Sequence, residues 1–272
     1  MKKEERVKAL LAKERYSFED LVDIMTLLRG EGGCPWDREQ THKSIRNNLI
    51  EETYEVIEAI DTENPELMRE ELGDVLLQIV FHADMAKEEG TFEIGDVTDE
   101  ICKKLIHRHP HVFGDLVAET SGKVLEAWEA IKSEEKSRRT VTDKLTSIPH
   151  MFPALMRATK VGKKASCFDF PDAESVMDKI SEELVEVSEA MASGDRDAMA
   201  EEIGDLLLGI TSLCRKLDVD AEKALSDATD NFIDRISKVE QAVIAEGKDI
   251  TQCDIYELDA IWEQNKSKNQ KK

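Results

Sequence analysis

Two acidic patterns carry the first chemical signal in this 272-residue chain. Glu51-Glu52-Thr53-Tyr54-Glu55 is followed by Glu70-Glu71-Leu72-Gly73-Asp74. Both return as Glu182-Glu183-Leu184-Val185-Glu186 and Glu201-Glu202-Ile203-Gly204-Asp205, each at an offset of 131 residues (51 to 182, 70 to 201). Helical spacing puts Glu52 with Glu55, and Glu71 with Asp74, on one face. Glu52 is in register with Ile45, Leu49, Val56 and Ala59, and Asp74 with Leu67, Leu77 and Phe81, so these acids lie along apolar stripes. Charges there are costly unless paired or metal-bound, and like charges cannot pair with one another. Oxygen ligands without His or Cys select hard cations, Mg²⁺ first with Mn²⁺ as a substitute. Mg²⁺ held by a few carboxylates keeps waters and takes substrate phosphates, which points to a phosphate-bearing substrate.

A helix, a turn and a second helix must position these acids. Ile45, Leu49, Val56 and Ile60 recur at helical spacing, Thr62-Glu63-Asn64-Pro65 breaks the pattern, and Leu67, Leu72, Val75 and Ile79 resume it. The break in the second copy is Ser193-Gly194-Asp195. A short break between amphipathic helices predicts an antiparallel hairpin. It brings Glu52, Glu55, Glu71 and Asp74 to one level, and likewise Glu183, Glu186, Glu202 and Asp205. A solvated acidic face is the ordinary explanation of a single Glu-Glu-x-x-Glu; duplication at identical spacing on the apolar stripe argues against it. Gly73 and Gly204 each sit beside the Asp in mid-helix, at a cost of roughly 1 kcal/mol against Ala. Close approach of another helix, or room for a ligand, would explain them.

Composition bounds the rest. Six prolines, 13 glycines and 5% aromatic residues are too few for a β-sandwich or barrel, and good helix formers dominate, so the fold class is all-α. The repeat divides it into two tandem helical-bundle domains, 1–140 and 141–272, with a boundary in the Ser133–Pro153 stretch; Asn265 to Lys272 reads as a frayed polar tail. A net charge of -22 disfavours nucleic acid polymers and anionic membrane surfaces as partners. No apolar run approaches the ~18 residues of a membrane span. The charged start is unlike a secretory leader, and five scattered cysteines read as free thiols, so a cytoplasmic location is expected. A small hairpin bundle buries its stripe poorly alone, which predicts a homodimer.

At these residues the chain resembles the MazG family of nucleoside triphosphate pyrophosphohydrolases, in its tandem two-domain form. Glu-Glu-x-x-Glu followed by Glu-x-x-Asp marks that all-α family, and Gly33-Cys34-Pro35-Trp36-Asp37 and His109-Pro110-His111-Val112-Phe113 look like its first-half motifs. The resemblance implies Mg²⁺-dependent cleavage of NTPs or dNTPs between the α and β phosphates, giving a nucleoside monophosphate and pyrophosphate. Broad base tolerance and a housekeeping role in the nucleotide pool would follow. It implies metal ligands at Glu52, Glu55, Glu71 and Asp74, and at Glu183, Glu186, Glu202 and Asp205. It implies nucleotide contacts at Lys179, Arg235, Trp262 and Lys266 in the second half, and at Arg108, Trp128 and Lys132 in the first. Asn48 stands where Lys179 would fall in the first copy, which removes a cation beside those acids. Glu51 and Glu182 are the expected water-activating carboxylates, and Trp128 or Trp262 would either stack on a base or pack as core. A reading from another class is a catalytically idle, metal-stabilised helical module that senses nucleotides or binds a protein.

Other features are set aside. His107, His109 and His111 alternate around a helix-breaking Pro110 and lack the i, i+4 spacing of a helical metal site; a loop lining a nucleotide pocket suits them better. Glu39-Gln40-Thr41-His42 is a lone Glu-x-x-His, whereas a di-iron bundle needs two. Cys34 reads as a packed or partly exposed thiol, and Asp37 as the cap of the helix that follows.

Overall fold

The computed structural model describes residues 2–116, 120–135 and 140–269, apart from the side chains of residues 126, 129, 133, 134 and 265–269. Every regular element among them is helical, in agreement with the all-α expectation. The chain parts into two compact units between Lys132 and Ser133, at the front edge of the expected linker and ahead of the 140/141 division. The first unit holds α1 (Lys3–Leu11), α2 (Phe18–Arg29), α3 (Pro35–Glu39), α4 (Arg46–Asp61), α5 (Pro65–Glu88), α6 (Ile94–Arg108) and α7 (Pro110–Phe113); α8 (Ser121–Glu135) crosses the division. The second holds α9 (Val141–Thr146), α10 (Ala154–Lys164), α11 (Ala173–Ser193), α12 (Arg196–Lys216), α13 (Ala221–Ala245) and α14 (Ile255–Asn269).

The two hairpins, α4–α5 and α11–α12, form as the pattern breaks predict. Both turns place one residue in the left-handed region at the same repeat position: Glu63 at φ 51° and Gly194 at φ 76°. The next residue caps the returning helix in both. Asn64 accepts a hydrogen bond from the Leu67 amide, and Asp195 accepts from the amides of Asp197 and Ala198. In the first unit α2 packs on α5, and Met25, Ile45, Val80, Phe81 and Met85 form the core. In the second, α10 packs on α12 and α13, with Val176, Ile180, Val239 and Val243 buried.

The periodic residues of α5 form a helix as expected but divide between two faces: Leu72 and Ile79, with Ile57 and Leu76, are exposed, so the hairpin carries a second apolar face that its unit leaves uncovered. Three expectations need correction. Asp37 lies inside α3, whose cap position is Cys34, and α4 starts only after Ile45; Asp37 instead uses its backbone oxygen to accept a hydrogen bond from Arg29. The polar tail is helical as far as Asn269, because α14 continues through it. No neighbouring atom lies within 4 Å of a Cβ built on Gly73 or Gly204, so close helix approach does not explain these glycines, and open space remains. No helix among the described residues is long and apolar enough to cross a membrane.

Candidate metal and nucleotide site

The α4–α5 hairpin brings one carboxylate oxygen each of Glu52, Glu55 and Glu71 within 4.8 Å of one another, and α11–α12 does the same for Glu183, Glu186 and Glu202. Each trio takes two acids from the first helix and one from the second. Glu71 and Glu183 are buried, at 8% and 4% exposure. Asp74 and Asp205 sit one turn further along their helices, outside the trios. Burial, then the charges of Asp74 and Glu55, push Glu52 above the usual carboxylate range. Burial and Glu55 do the same to Glu71. Burial raises Glu186 against the pull of Lys179, and Glu183 and Glu202 add to the rise. All three shifts say that ionising one acid is resisted by a dry setting and by like charge.

The trios differ in one cation. Lys179 Nζ donates to Glu183 Oε1 at 2.8 Å and to Glu182 Oε1 at 2.9 Å. Its proton is held more tightly than an ordinary lysine's, first through Glu183 and then Glu182. Glu183 Oε2 is buried and has no hydrogen-bond partner among the described residues. A buried carboxylate oxygen left without a donor is expensive. The Glu183 carboxylate is grouped with those of Glu186 and Glu202, a donor set that suits a hard divalent ion.

The remaining expected residues fall in three places. Glu51 and Glu182 are exposed at the rim and belong to neither trio. Arg235 lies 5.7 Å from the Trp262 ring centre, and Phe232 meets that ring at a tilt with centroids 5.7 Å apart. Lys132 lies 4.2 Å and Arg108 5.4 Å from the Trp128 ring centre. Arg108, Trp128 and Lys132 therefore come together, as do Arg235 and Trp262; the Lys266 side chain lies outside the described residues.

Three features escaped the sequence reading. His42 and His82 stack with ring centroids 5.0 Å apart and Nδ1 atoms 2.7 Å apart, and burial followed by His42 lowers the His82 pKa. His82 was visible as a polar residue in an apolar run, but nothing local announces a partner on another element. His109 instead contacts the Leu105 carbonyl oxygen through Nδ1 at 2.6 Å. Arg215 grips Asp169 through both terminal nitrogens at 2.6 Å, with Lys216 at 2.8 Å. Finally, a cavity of about 430 Å³ opens beside the second trio, reaching Lys179, Glu183 and Asp205.

The MazG nucleotide pyrophosphohydrolase domain model matches the chain twice, over residues 40–113 and 172–243, once around each trio. The chain belongs to the MazG family. It is 47% identical over 251 residues to the nucleoside triphosphate pyrophosphohydrolase/pyrophosphatase MazG of Thermotoga maritima, covering 92% of this chain and 95% of that one. The nucleoside triphosphate pyrophosphohydrolase of Escherichia coli is 44% identical over 251 residues, 90% of this chain and 95% of its own. That of Mycobacterium tuberculosis is 34% identical over 250 residues, 90% of this chain and 66% of its own. Both family matches run well beyond the acids: each spans a whole hairpin, the first continuing through α6 and α7 and the second through most of α13.

Proposed function

We propose that this MazG-family chain is a Mg²⁺-dependent nucleoside triphosphate pyrophosphohydrolase. It cleaves NTPs and dNTPs between the α and β phosphates with broad base tolerance, and clears the cytoplasmic nucleotide pool as a homodimer. The single observation that carries the reading is the orphaned, buried Oε2 of Glu183, whose carboxylate is grouped with those of Glu186 and Glu202 in a trio the chain builds twice. Glu183, Glu186 and Glu202 with Asp205 would hold the ion, as would Glu52, Glu55 and Glu71 with Asp74 in the first unit; Mn²⁺ suits the same oxygens. Bound there, Mg²⁺ would supply neutralising charge for the triphosphate and Lewis-acid polarisation of the α-phosphorus.

The chain's own groups supply the rest. Lys179 is poised beside Glu183 to exchange a carboxylate for a phosphate oxygen, which compensates charge on the departing pyrophosphate. Glu182, exposed next to it, is placed to accept the proton of the attacking water, with Glu51 as its counterpart. Arg235 and Lys266, and Arg108 and Lys132 in the first unit, add positive charge for phosphate. Since Arg235 already covers its ring, Trp262 orients that guanidinium rather than offering a bare platform to a base, and Trp128 serves Arg108 and Lys132 alike. The uncovered apolar faces of the hairpins supply the dimer contact.

Incubating the purified chain with each NTP and Mg²⁺ tests the reaction. Nucleoside monophosphate and pyrophosphate are expected, and a chelator abolishes their release. Nucleoside diphosphate with phosphate would overturn the bond assignment. Metal uptake without any turnover would leave the idle nucleotide-sensing module.

A further inference from the structure

We infer that His42 and His82 form a metal site of their own in the first unit, for a divalent transition ion of the Ni²⁺ or Cu²⁺ class. The proposed pyrophosphohydrolase chemistry uses neither residue. His42 lies in the turn that leads into α4, and His82 lies on α5, about 16 Å of helix beyond Glu71 (residues 71 to 82). Their Nδ1 atoms are 2.7 Å apart and their ring planes agree within 3°. At that distance one of the two nitrogens carries a hydrogen and the other accepts it. Glu89 Oε2 stands 3.7 Å from Nε2, the far nitrogen of His42, and favours a hydrogen there. His42 Nδ1 therefore presents a lone pair, and His82 Nδ1 supplies the hydrogen.

An ion takes the place of that hydrogen, which moves to Nε2 of the same ring, and both Nδ1 lone pairs then serve one centre. Imidazole nitrogens suit Ni²⁺, Cu²⁺ and Zn²⁺, whereas the oxygen-only trios suit Mg²⁺, so the two kinds of site sort ions by donor type. A ring nitrogen sits about 2.0–2.1 Å from such an ion, which puts two of them about 2.9 Å apart at a right angle and about 3.4 Å apart at a tetrahedral one. The observed 2.7 Å lies nearer the right angle, the preference of tetragonal Ni²⁺ and Cu²⁺. Burial, then His42, disfavour a charged His82 and leave it in the neutral form that ligates. Both rings are held from behind. Thr41 and Ser44 exchange amide-to-hydroxyl hydrogen bonds at 2.9 and 3.2 Å across the His42 turn, and the next residue, Ile45, is buried. Phe81 and Ala83 are buried on either side of His82. Little reorganisation is left for an ion to impose. The His42 side chain is 38% exposed, which admits the ion and the waters that complete its coordination. Leu213 stands at the position of His82 in the second copy (82 to 213), so the site belongs to the first unit alone.

Ni²⁺ calorimetry on the full chain, with Mg²⁺ in excess to fill the oxygen sites, tests the assignment in wild type, His42→Ala and His82→Ala. His109→Ala is the control, because His109 and His111, with ring centres 5.5 Å apart, are the rival pair. Wild type should take up Ni²⁺ with an affinity that falls at least about tenfold in each of the first two variants and changes less than about twofold in the control. Ni²⁺ should also raise the melting temperature of wild type and leave that of His42→Ala unmoved. His42 lies on a surface turn, so its variant keeps the experiment decisive if His82→Ala fails to fold. No Ni²⁺ uptake by wild type, uptake unchanged in His42→Ala or in a folded His82→Ala, or an equal loss in His109→Ala overturns the site.

Discussion

Arg215 on α12 and Asp84 on α5 occupy the same position in the two copies of the hairpin, yet each closes its own unit with an ion pair of opposite polarity. Arg215 meets Asp169 through a two-pronged contact at 2.6 Å, whereas Asp84 is met by Arg29 at 3.8 Å and by the Thr26 hydroxyl at 2.8 Å. Arg29 then continues to Glu88 at 2.7 Å. Duplication has preserved the architectural need, a link between the second hairpin helix and the layer beside it, and not the residues that meet it.

This link gives the second unit an acid-sensitive component. The Arg215 hydrogen bonds, then Lys216, hold Asp169 well below the usual carboxylate range. A lowered folded-state pKa contributes stability above the unfolded value near 4, and that contribution disappears as pH falls towards the folded value. Asp169→Asn should therefore cost about 3 kcal/mol at pH 7, because it leaves a largely buried guanidinium without its charge partner. Urea titrations should find the gap to wild type closing progressively below pH 4. A gap that stays constant down to pH 2 would count against the ion pair as its cause.

The turns offer a matched pair of substitutions. Glu63 and Gly194 both hold positive φ, but only glycine does so without a Cβ penalty. Glu63→Gly should stabilise the first unit by about 0.5–1 kcal/mol, and Gly194→Ala should destabilise the second by about 1 kcal/mol. Thermal melts with opposite shifts for the two variants are the expected result.

Much of this arrangement is legible in the residues. The repeat offset, the hairpin breaks and the inward register of Glu52 follow from local spacing, which the chain obeys because helical period and turn chemistry are local properties. What spacing could not separate is the two apolar faces of each hairpin helix: Leu72 and Ile79 satisfy a helical period as well as Leu67 and Leu77 do, and only packing decides which face is covered. The Arg215–Asp169 link joins residues 46 apart and the His42–His82 pair residues 40 apart, and neither has a local signature. The cavity was hidden for a related reason. It is an absence of side chains at Gly209 and Ser212, visible only once α10 and α12 are packed together.

The cation that separates the two trios should separate their activities. Lys179→Asn copies Asn48 into the second unit and removes the ammonium that holds Glu183 Oε1. KM for NTPs should rise about tenfold, equivalent to about 1.4 kcal/mol of lost phosphate binding. Glu183→Gln strips the buried ligand itself and should lower kcat/KM by more than about 100-fold, a loss at least tenfold larger than that from Glu52→Gln. Equal losses from the two glutamines, measured with folding intact, would mean that both units turn over substrate.

The uncovered hairpin face should report on assembly. Ile203 and Leu207 are each 47% exposed and lie one turn apart on α12, and Leu184 on the paired helix α11 is exposed as well. Isolated surface leucines are ordinary, but a contiguous apolar strip on paired helices is costly in water and is covered in most soluble proteins. Ile203→Asp with Leu207→Asp places two charges in that strip without touching the buried stripe that holds the trio. Light scattering should show a dimer for the wild type and a monomer for the variant at the same concentration, with a lower melting temperature because dimer and unit stability are linked. A variant that remains dimeric would move the contact to another surface, such as the exposed apolar residues of α13.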